Sequence, residues 1–145
     1  MVLRTRPALE MDDEQLFEFC RINREWRIER TAGGELEIMP PTGGETSDKN
    51  AEITMQLRLW AKRNGTGVAF DSNGGFILPN GAMRSPDASW VRRGRLVALT
   101  AEQKQRFLPV CLDFVIELRS PSDRLAPPTL PGYVLDLKPS WEPGF

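Results

Sequence analysis

The strongest constraint on the fold of this chain comes from two short stretches in which acidic residues interrupt an otherwise apolar pattern. The first runs from Ser85 to Val91 and contains Asp87, and the second runs from Asp113 to Arg119 and contains Glu117. Both stretches are rich in apolar and β-branched residues and are bounded by Pro, Gly or Ser, which predicts two β-strands. The chain therefore has to form a sheet that accommodates these acids.

Side chains two positions apart share a face of a strand, and this predicts how the second stretch is divided. One face carries Phe114, Ile116 and Leu118, and the other carries Asp113, Val115, Glu117 and Arg119. If Asp87 came from a neighbouring strand, two carboxylates and one cation would meet. Such a group can hold a hard divalent metal ion on oxygen ligands beside a phosphate.

A structural role is the alternative for the same residues. Glu117 would then pair with Arg119 or across the sheet, and Asp87 would cap a turn after Pro86. Ion-pair networks of this kind often resemble catalytic sites.

Composition limits the chemistry that such a site could perform. The chain has 145 residues, a net charge of −1 and no histidine. The lack of histidine excludes Ser-His-Asp and Cys-His catalysis and zinc sites of the HExxH type. Carboxylates, lysines, arginines and water remain for acid–base or metal chemistry.

The same length and composition predict one globular domain over residues 1–145, with a proline-rich segment at 126–145. Cys20 and Cys111 have no metal-binding or disulfide-framework spacing, which favours a reducing compartment. No apolar run is long enough for a membrane span or a signal peptide. We expect a cytoplasmic protein that has no membrane partner.

Arg92, Arg93 and Arg95 form the best candidate for a local nucleic-acid patch, because the near-zero net charge argues against a generally basic surface. A solvated loop after a strand is the alternative for this run.

The first part of the chain predicts a helix and a hairpin. The helix spans Met11 to about Ile22, with Asp12 as N-cap and Gln15 completing a capping box. Two alternating stretches, 26–30 and 35–38, follow as a hairpin with one apolar face.

A long helix is predicted from about Ser47 to Asn64, with Thr46 or Ser47 as its cap and Gly65 as its stop. Its buried face would include Ile53, Leu57 and Trp60, widened by Ala51, Met55 and Leu59. Glu45 falls just before this helix. It is either a third metal-binding carboxylate or a partner of the helix dipole.

Several short elements complete the pattern. Strands are expected at 68–71 and 75–78, a two-residue hairpin turn at Asn80-Gly81, a helix at 100–107 and an apolar segment at 133–137.

Seven motifs occur in order along almost the whole chain: Gly43-Gly44-Glu45, Phe70-Asp71-Ser72, the stretch 75–81, Ser85-Pro86-Asp87, the stretch 114–117, Ser120-Pro121-Ser122-Asp123 and Leu130-Pro131-Gly132-Tyr133. Together they resemble the Uma-two family, which lies within the restriction-endonuclease-like PD-(D/E)XK superfamily. This resemblance implies an α+β fold, with a mixed β-sheet flanked by helices.

The resemblance also implies site residues and cofactors. Asp87 and Glu117 match the metal-binding acids, Glu45 matches an acid near the first helix, and Arg119 stands where the superfamily has a catalytic lysine. Mg²⁺ or Mn²⁺ would be the cofactor and DNA the substrate. Family members continue after Asp123 with a lysine-bearing helix and further strands, whereas this chain passes directly to Leu130-Pro131-Gly132, as if by an internal deletion. Lys49 or Lys62 would then have to supply the missing lysine.

Two functions follow from these observations. One is a metal-dependent DNA endonuclease, with Asp87, Glu117 and Arg119 as catalytic residues and Asp87, Glu117 and Glu45 as metal ligands. The other is a catalytically inactive nuclease-like domain that acts as a binding or structural module. The deletion would expose a sheet edge, which predicts a homo-oligomer.

Overall fold

The computed structural model describes residues 1–118 of the chain. Its strands are β1 (Val2–Leu3), β2 (Arg27–Arg30), β3 (Leu36–Met39), β4 (Gly67–Asp71), β5 (Phe76–Ile77), β6 (Met83–Arg84), β7 (Ala88–Arg92) and β8 (Phe114–Ile116). Its helices are α1 (Asp13–Ile22), α2 (Gly44–Asn64), α3 (Arg93–Val97) and α4 (Ala101–Lys104). Arg119, the expected deletion after Asp123 and the 126–145 segment lie outside the described residues.

These elements fall into two compact units, each assembled from separate stretches of chain. Unit 1 comprises Met1–Pro41, Gly74–Ser85 and Leu99–Cys111, and unit 2 comprises Thr42–Asn73, Pro86–Ala98 and the described residues from Leu112 to Leu118.

Unit 1 is built on a five-stranded sheet in the order β1-β3-β2-β6-β5. Its named strands pair antiparallel, and an isolated parallel bridge joins Phe76 to Leu108. The core cluster comprises Leu16, Ile28, Leu36 and Met83. The predicted hairpin is confirmed as β2 and β3, which pair from Arg27 opposite Met39 to Arg30 opposite Leu36.

Helix α1 begins with the predicted capping box. The Gln15 backbone N–H donates to Asp12 Oδ1 at 2.8 Å, and the Asp12 backbone N–H donates to Gln15 Oε1 at 3.0 Å. Two of the otherwise unsatisfied donors at this end of the helix are thereby paired, which confirms the predicted start.

Unit 2 is built on a three-stranded antiparallel sheet in the order β4-β7-β8, with α2 packed on one face. The core between helix and sheet contains Ile53, Leu57 and Ala61 from α2 and Ala69, Ala88, Trp90, Phe114 and Ile116 from the strands. Phe114 and Ile116 are buried and Val115 is exposed, so the alternation predicted for β8 is confirmed.

Helix α2 differs from its prediction at its start and in its buried face. It begins at Gly44, with Gly43 as an extended N-cap, so Thr46 and Ser47 are not its cap. Glu45 therefore lies within the first turn, where its charge suits the helix dipole. Met55 and Leu59 are exposed, because each lies two positions, or about 200° of rotation, beyond a buried residue.

Three shorter elements also depart from their predicted extent. Helix α3 forms where the arginine run was expected to be a patch or a loop, and α4 ends at Lys104 because Phe107 packs edge-on against Phe17 at 5.1 Å. The β5–β6 hairpin is present, but its turn is wider than two residues: the Gly81 N–H bonds to Leu78 O, and the Leu78 N–H bonds to Ala82 O. Gly81 adopts φ +82°, which glycine tolerates readily.

Within residues 1–118, no helix is both long enough and apolar enough to cross a membrane.

Candidate active site

The two predicted acids come from neighbouring strands of unit 2. Strands β7 and β8 pair with Ala88 opposite Ile116 and Trp90 opposite Phe114. Extending this antiparallel register by one residue places Asp87 opposite Glu117. Directly opposite side chains share a face, with Cβ atoms about 5 Å apart. This face is the one opposite to α2, because Ala88 and Ile116 pack against the helix.

Asp87 is held in place by the backbone of the partner strand. Asp87 is only 6% exposed, and its Oδ2 accepts a hydrogen bond from the Leu118 backbone N–H at 2.6 Å. A hydrogen bond between a carboxylate and a backbone N–H is charge-assisted and therefore strong. Asp87 therefore has a structural partner across the sheet, as the structural alternative for this residue also requires.

The acid pair has one further described neighbour, Ser89. Ser89 lies on the same face, two residues from Asp87, and its fully buried hydroxyl finds no hydrogen-bond partner in the described part of the chain. Glu117 is half-buried directly after β8. Arg119, the predicted cation of the group, lies beyond the described residues.

Glu45 and Lys49 form a separate ion pair on α2. Lys49 Nζ lies 2.6 Å from Glu45 Oε1, and Lys49 is only 9% exposed. The structure does not bring Glu45 together with Asp87 and Glu117: residues 1–118 contain no group of three or more Asp, Glu, His or Cys residues suited to a metal ion.

The position of Lys49 along α2 distinguishes it from Lys62. Lys49 continues the buried stripe of α2, which also contains Ile53, Leu57 and Ala61. Because the chain passes from the end of α2 through Gly65 into β4, Lys62 lies at the Gly67–Arg92 end of the sheet. Lys49 lies towards the other end, which is the end of Asp87 and Glu117. Because α2 covers the face of the sheet opposite to the acid pair, neither of these two lysines lies beside Asp87 and Glu117.

The arginine run belongs to the opposite end of the same sheet. The Arg92 backbone N–H donates to Asp113 Oδ2 at 2.9 Å, and Arg95 Nε lies 3.2 Å from both Asp113 oxygens. Arg93 Nε instead donates to Gly65 O at 3.4 Å. Sequence reasoning assigned no role to Asp113, because it lies 21 residues from Arg92 and 18 residues from Arg95 and no local pattern joins them.

The donor set of the acid pair suits a hard divalent ion. Mg²⁺ is usually held by one or two carboxylates, keeps several waters and takes further oxygen ligands from a phosphate. Asp87 and Glu117 therefore fit such an ion without a third protein ligand.

The α+β fold, in which helices flank antiparallel sheets, is of the restriction-endonuclease-like class. Residues 13–127 match the model of the Uma2 family, described as "Putative restriction endonuclease". The chain belongs to this family, and the predicted family and fold class are confirmed.

A solved structure supports the same fold. The chain is similar to the crystal structure of a "putative nuclease belonging to DUF820" from Anabaena variabilis, with 18% identity and a TM-score of 0.51. The match covers 67% of this chain and 52% of that one, so the chain corresponds to about half of the solved protein. No curated protein is significantly similar in sequence.

Proposed function

We propose that this chain is a metal-dependent DNA endonuclease, with Asp87 and Glu117 as the ligands of Mg²⁺ or Mn²⁺. The observation that carries the proposal is the β7–β8 register, which sets these two acids opposite each other on neighbouring strands. Membership of the restriction endonuclease family supplies the reaction class.

The residues of the pair have distinct tasks. Asp87 is oriented by the Leu118 N–H, which fixes one carboxylate oxygen and therefore the direction of the other. Glu117 approaches from the opposite strand and supplies the second oxygen ligand. A divalent ion, when bound, polarises a phosphodiester and lowers the pKa of water. The protein's part is to hold the ligands and the substrate phosphate in a fixed arrangement.

Two cations are candidates for contact with the substrate phosphate. Arg119 would follow Glu117 on the same strand face and could clamp a phosphate through two N–H donors, but it stays protonated and cannot act as a base. Lys49 is buried towards the same end of the sheet but on the face that α2 covers, which makes it the weaker candidate. Glu45, which pairs with Lys49, would orient this lysine rather than bind the ion directly.

A plasmid-nicking assay with Mg²⁺ or Mn²⁺ tests the proposal. Asp87→Asn and Glu117→Gln should each lower the nicking rate by roughly 100-fold or more, because each removes a charged ligand of the ion. Glu102→Gln, which changes an exposed carboxylate in unit 1, is the charge-matched control and should leave the rate unchanged.

Calorimetric titration with Mn²⁺ gives a second readout. Wild type should bind the ion and Asp87→Asn should not. Nicking that persists in both acid variants, or a wild type that neither nicks DNA nor binds Mn²⁺, would overturn the endonuclease proposal.

A second candidate is a nuclease-like module that binds DNA without cutting it. The pairing of Glu45 with Lys49 favours this function, since it occupies an acid that a three-carboxylate site would use. Wild-type protein that binds a DNA duplex but shows no nicking with either ion would support this second candidate.

Self-association is proposed through the edge of the unit 2 sheet. Among the described strands, β8 pairs with β7 alone, and Val115 on β8 is 39% exposed. An edge strand with unpaired backbone groups can pair with a second copy of the chain.

A further inference from the structure

A second candidate site lies at the far end of the unit 2 sheet from the acid pair. A cavity of about 330 Å³ opens there between the C-terminal half of α2, the start of β4 and the first residue of α3. Three of its lining side chains are cationic, namely Arg58, Lys62 and Arg93. The remaining lining residues are glycine, alanine and valine, so none of them is acidic.

The three cations at this cavity form no ion pair with any acid in residues 1–118. Elsewhere in unit 2, Arg92 and Arg95 share Asp113, and Lys49 pairs with Glu45. Within residues 1–118, the ion pairs include none formed by Arg58, Lys62 or Arg93. Three like charges around one cavity repel each other, and an anion bound between them would relieve that repulsion.

Backbone carbonyls orient both arginines at the cavity. Arg58 donates one N–H to Ala69 O at 3.1 Å, and Arg93 donates one N–H to Gly65 O at 3.4 Å. A guanidinium has five N–H donors in a rigid fork, so each arginine keeps donor capacity beyond its single backbone bond. This fork matches the oxygens of a phosphate group.

The helix dipole opposes an anion here, but its contribution is smaller than that of the side chains. α2 ends at Asn64, and a helix C-terminus carries roughly half a negative charge. The Gly65 N–H donates a hydrogen bond to Ala61 O, and Arg93 Nε donates one to Gly65 O. Three full positive charges outweigh the half charge that remains.

We propose that this cavity binds a backbone phosphate of DNA, an inference that rests on the proposed endonuclease function. The cavity lies at the Gly67–Arg92 end of the β4–β7 pair, and Asp87 lies just beyond the Asp71–Ala88 end. Four residue steps of a strand separate the two ends, or roughly 14 Å. This separation along the strands is less than one turn of B-DNA, about 34 Å.

Binding of a fluorescently labelled DNA duplex in EDTA tests the inference without involving the metal site. Lys62→Gln is the principal variant, since no described hydrogen bond depends on this side chain. It should weaken binding roughly threefold to tenfold and lower the slope of log affinity against log salt by about one. Arg93→Gln should act in the same direction, with its fold verified by thermal melting because it loses the bond to Gly65.

Arg63→Gln is the matched control, because Arg63 is the exposed neighbour of Lys62 and does not line the cavity. It should change the affinity less than either cavity variant. Equal losses in all three variants, or wild-type affinity in Lys62→Gln, would overturn the inference. So would a wild type that binds no duplex in EDTA, binds an RNA duplex more tightly, or releases DNA with submillimolar inorganic phosphate.

The two proposals fail in different ways. If nicking depends on Asp87 and Glu117 but the cavity variants bind DNA normally, the cavity inference fails and the endonuclease stands. If the cavity variants lose DNA binding but nicking does not depend on Asp87 and Glu117, the endonuclease proposal fails and the cavity remains a DNA-binding site.

Discussion

Buried charged side chains in both units are each held by a backbone group or an opposite charge. Glu29 in unit 1 is 7% exposed, and it accepts the Ser85 N–H at 3.0 Å and an Arg84 N–H at 2.9 Å. The hydrogen bond to Glu29 raises the pKa of Arg84. Burial of a charge therefore does not by itself mark a functional residue here. Asp87 follows the same rule through the Leu118 N–H, so the acid pair is distinguished by the strand register that sets Asp87 opposite Glu117 and not by burial.

The Cys20 thiol gives a prediction at the residue scale. Burial raises its pKa from 9.0 to about 11. Only the thiolate reacts with iodoacetamide, so alkylation of the folded protein should keep accelerating between pH 9 and 10.5 and should not level off near 9. The Cys111→Ser variant leaves Cys20 as the sole cysteine for this measurement.

The same variant in concentrated urea is the control, and its alkylation rate should level off near pH 9. Because the folded state holds this proton more tightly than the unfolded state, the free energy of unfolding should fall as pH rises from about 9 towards 11. A plateau near pH 9 in the folded protein would contradict the assignment.

The connection from α2 into β4 shows how two glycines in one turn serve different purposes. Gly65 ends the helix with φ +75°, and a Cβ added there would meet nothing within 4 Å. A Cβ added at Gly67 would lie 2.3 Å from Val91 O and 2.4 Å from the Trp90 ring. Backbone conformation requires the first glycine, and close strand packing requires the second.

Substituting each of these glycines by alanine tests this distinction at the element scale. Gly65→Ala should lower the free energy of unfolding by about 1 kcal/mol, which is the usual cost of the left-handed conformation. Gly67→Ala should lower it by about 3 kcal/mol or more, because β4 must move away from β7. Urea unfolding measures both values, and equal losses would contradict the close contact at Gly67.

Both capping boxes and the β2–β3 hairpin could be predicted from sequence because their signals lie within a few residues. The Thr100 capping box, for example, needs only Gln103 three positions on. The start of α2 was missed because Thr46 and Ser47 are better caps in isolation than Gly43. The α3 helix was missed because Arg-Gly-Arg-Leu-Val has no cap and no buried residue.

For the molecule as a whole, residues 1–118 already form two sheets, each with its own core. The family match extends over residues 13–127, while the similar solved nuclease has about half of its length matched. The unit 2 sheet, which carries both candidate sites, has three described strands, and β8 lies at its edge. Whether β8 pairs with a second copy of the chain therefore affects the oligomeric state of the entire protein.

Light scattering coupled to size-exclusion chromatography tests the proposed self-association. The apparent mass should exceed the 16.4 kDa of one chain and rise with protein concentration. Val115→Lys should shift the protein towards monomer, because a charged side chain on an edge strand disfavours pairing with another edge. Thr54→Lys, a lysine placed on α2, is the control for added charge. A wild-type monomer over a wide concentration range would refute the proposal.

The sequence by itself determined the capped start of α1, the β2–β3 hairpin and the face on which each β8 residue lies, because alternation and capping act between near neighbours. It also pointed to Asp87 and Glu117 as the acids of interest. Only the tertiary structure decided that Glu45 pairs with Lys49, that Asp113 holds Arg92 and Arg95, and that Arg58, Lys62 and Arg93 line one cavity. The register of strands that lie far apart in the chain brings most of these groups together, and no local pattern encodes that register.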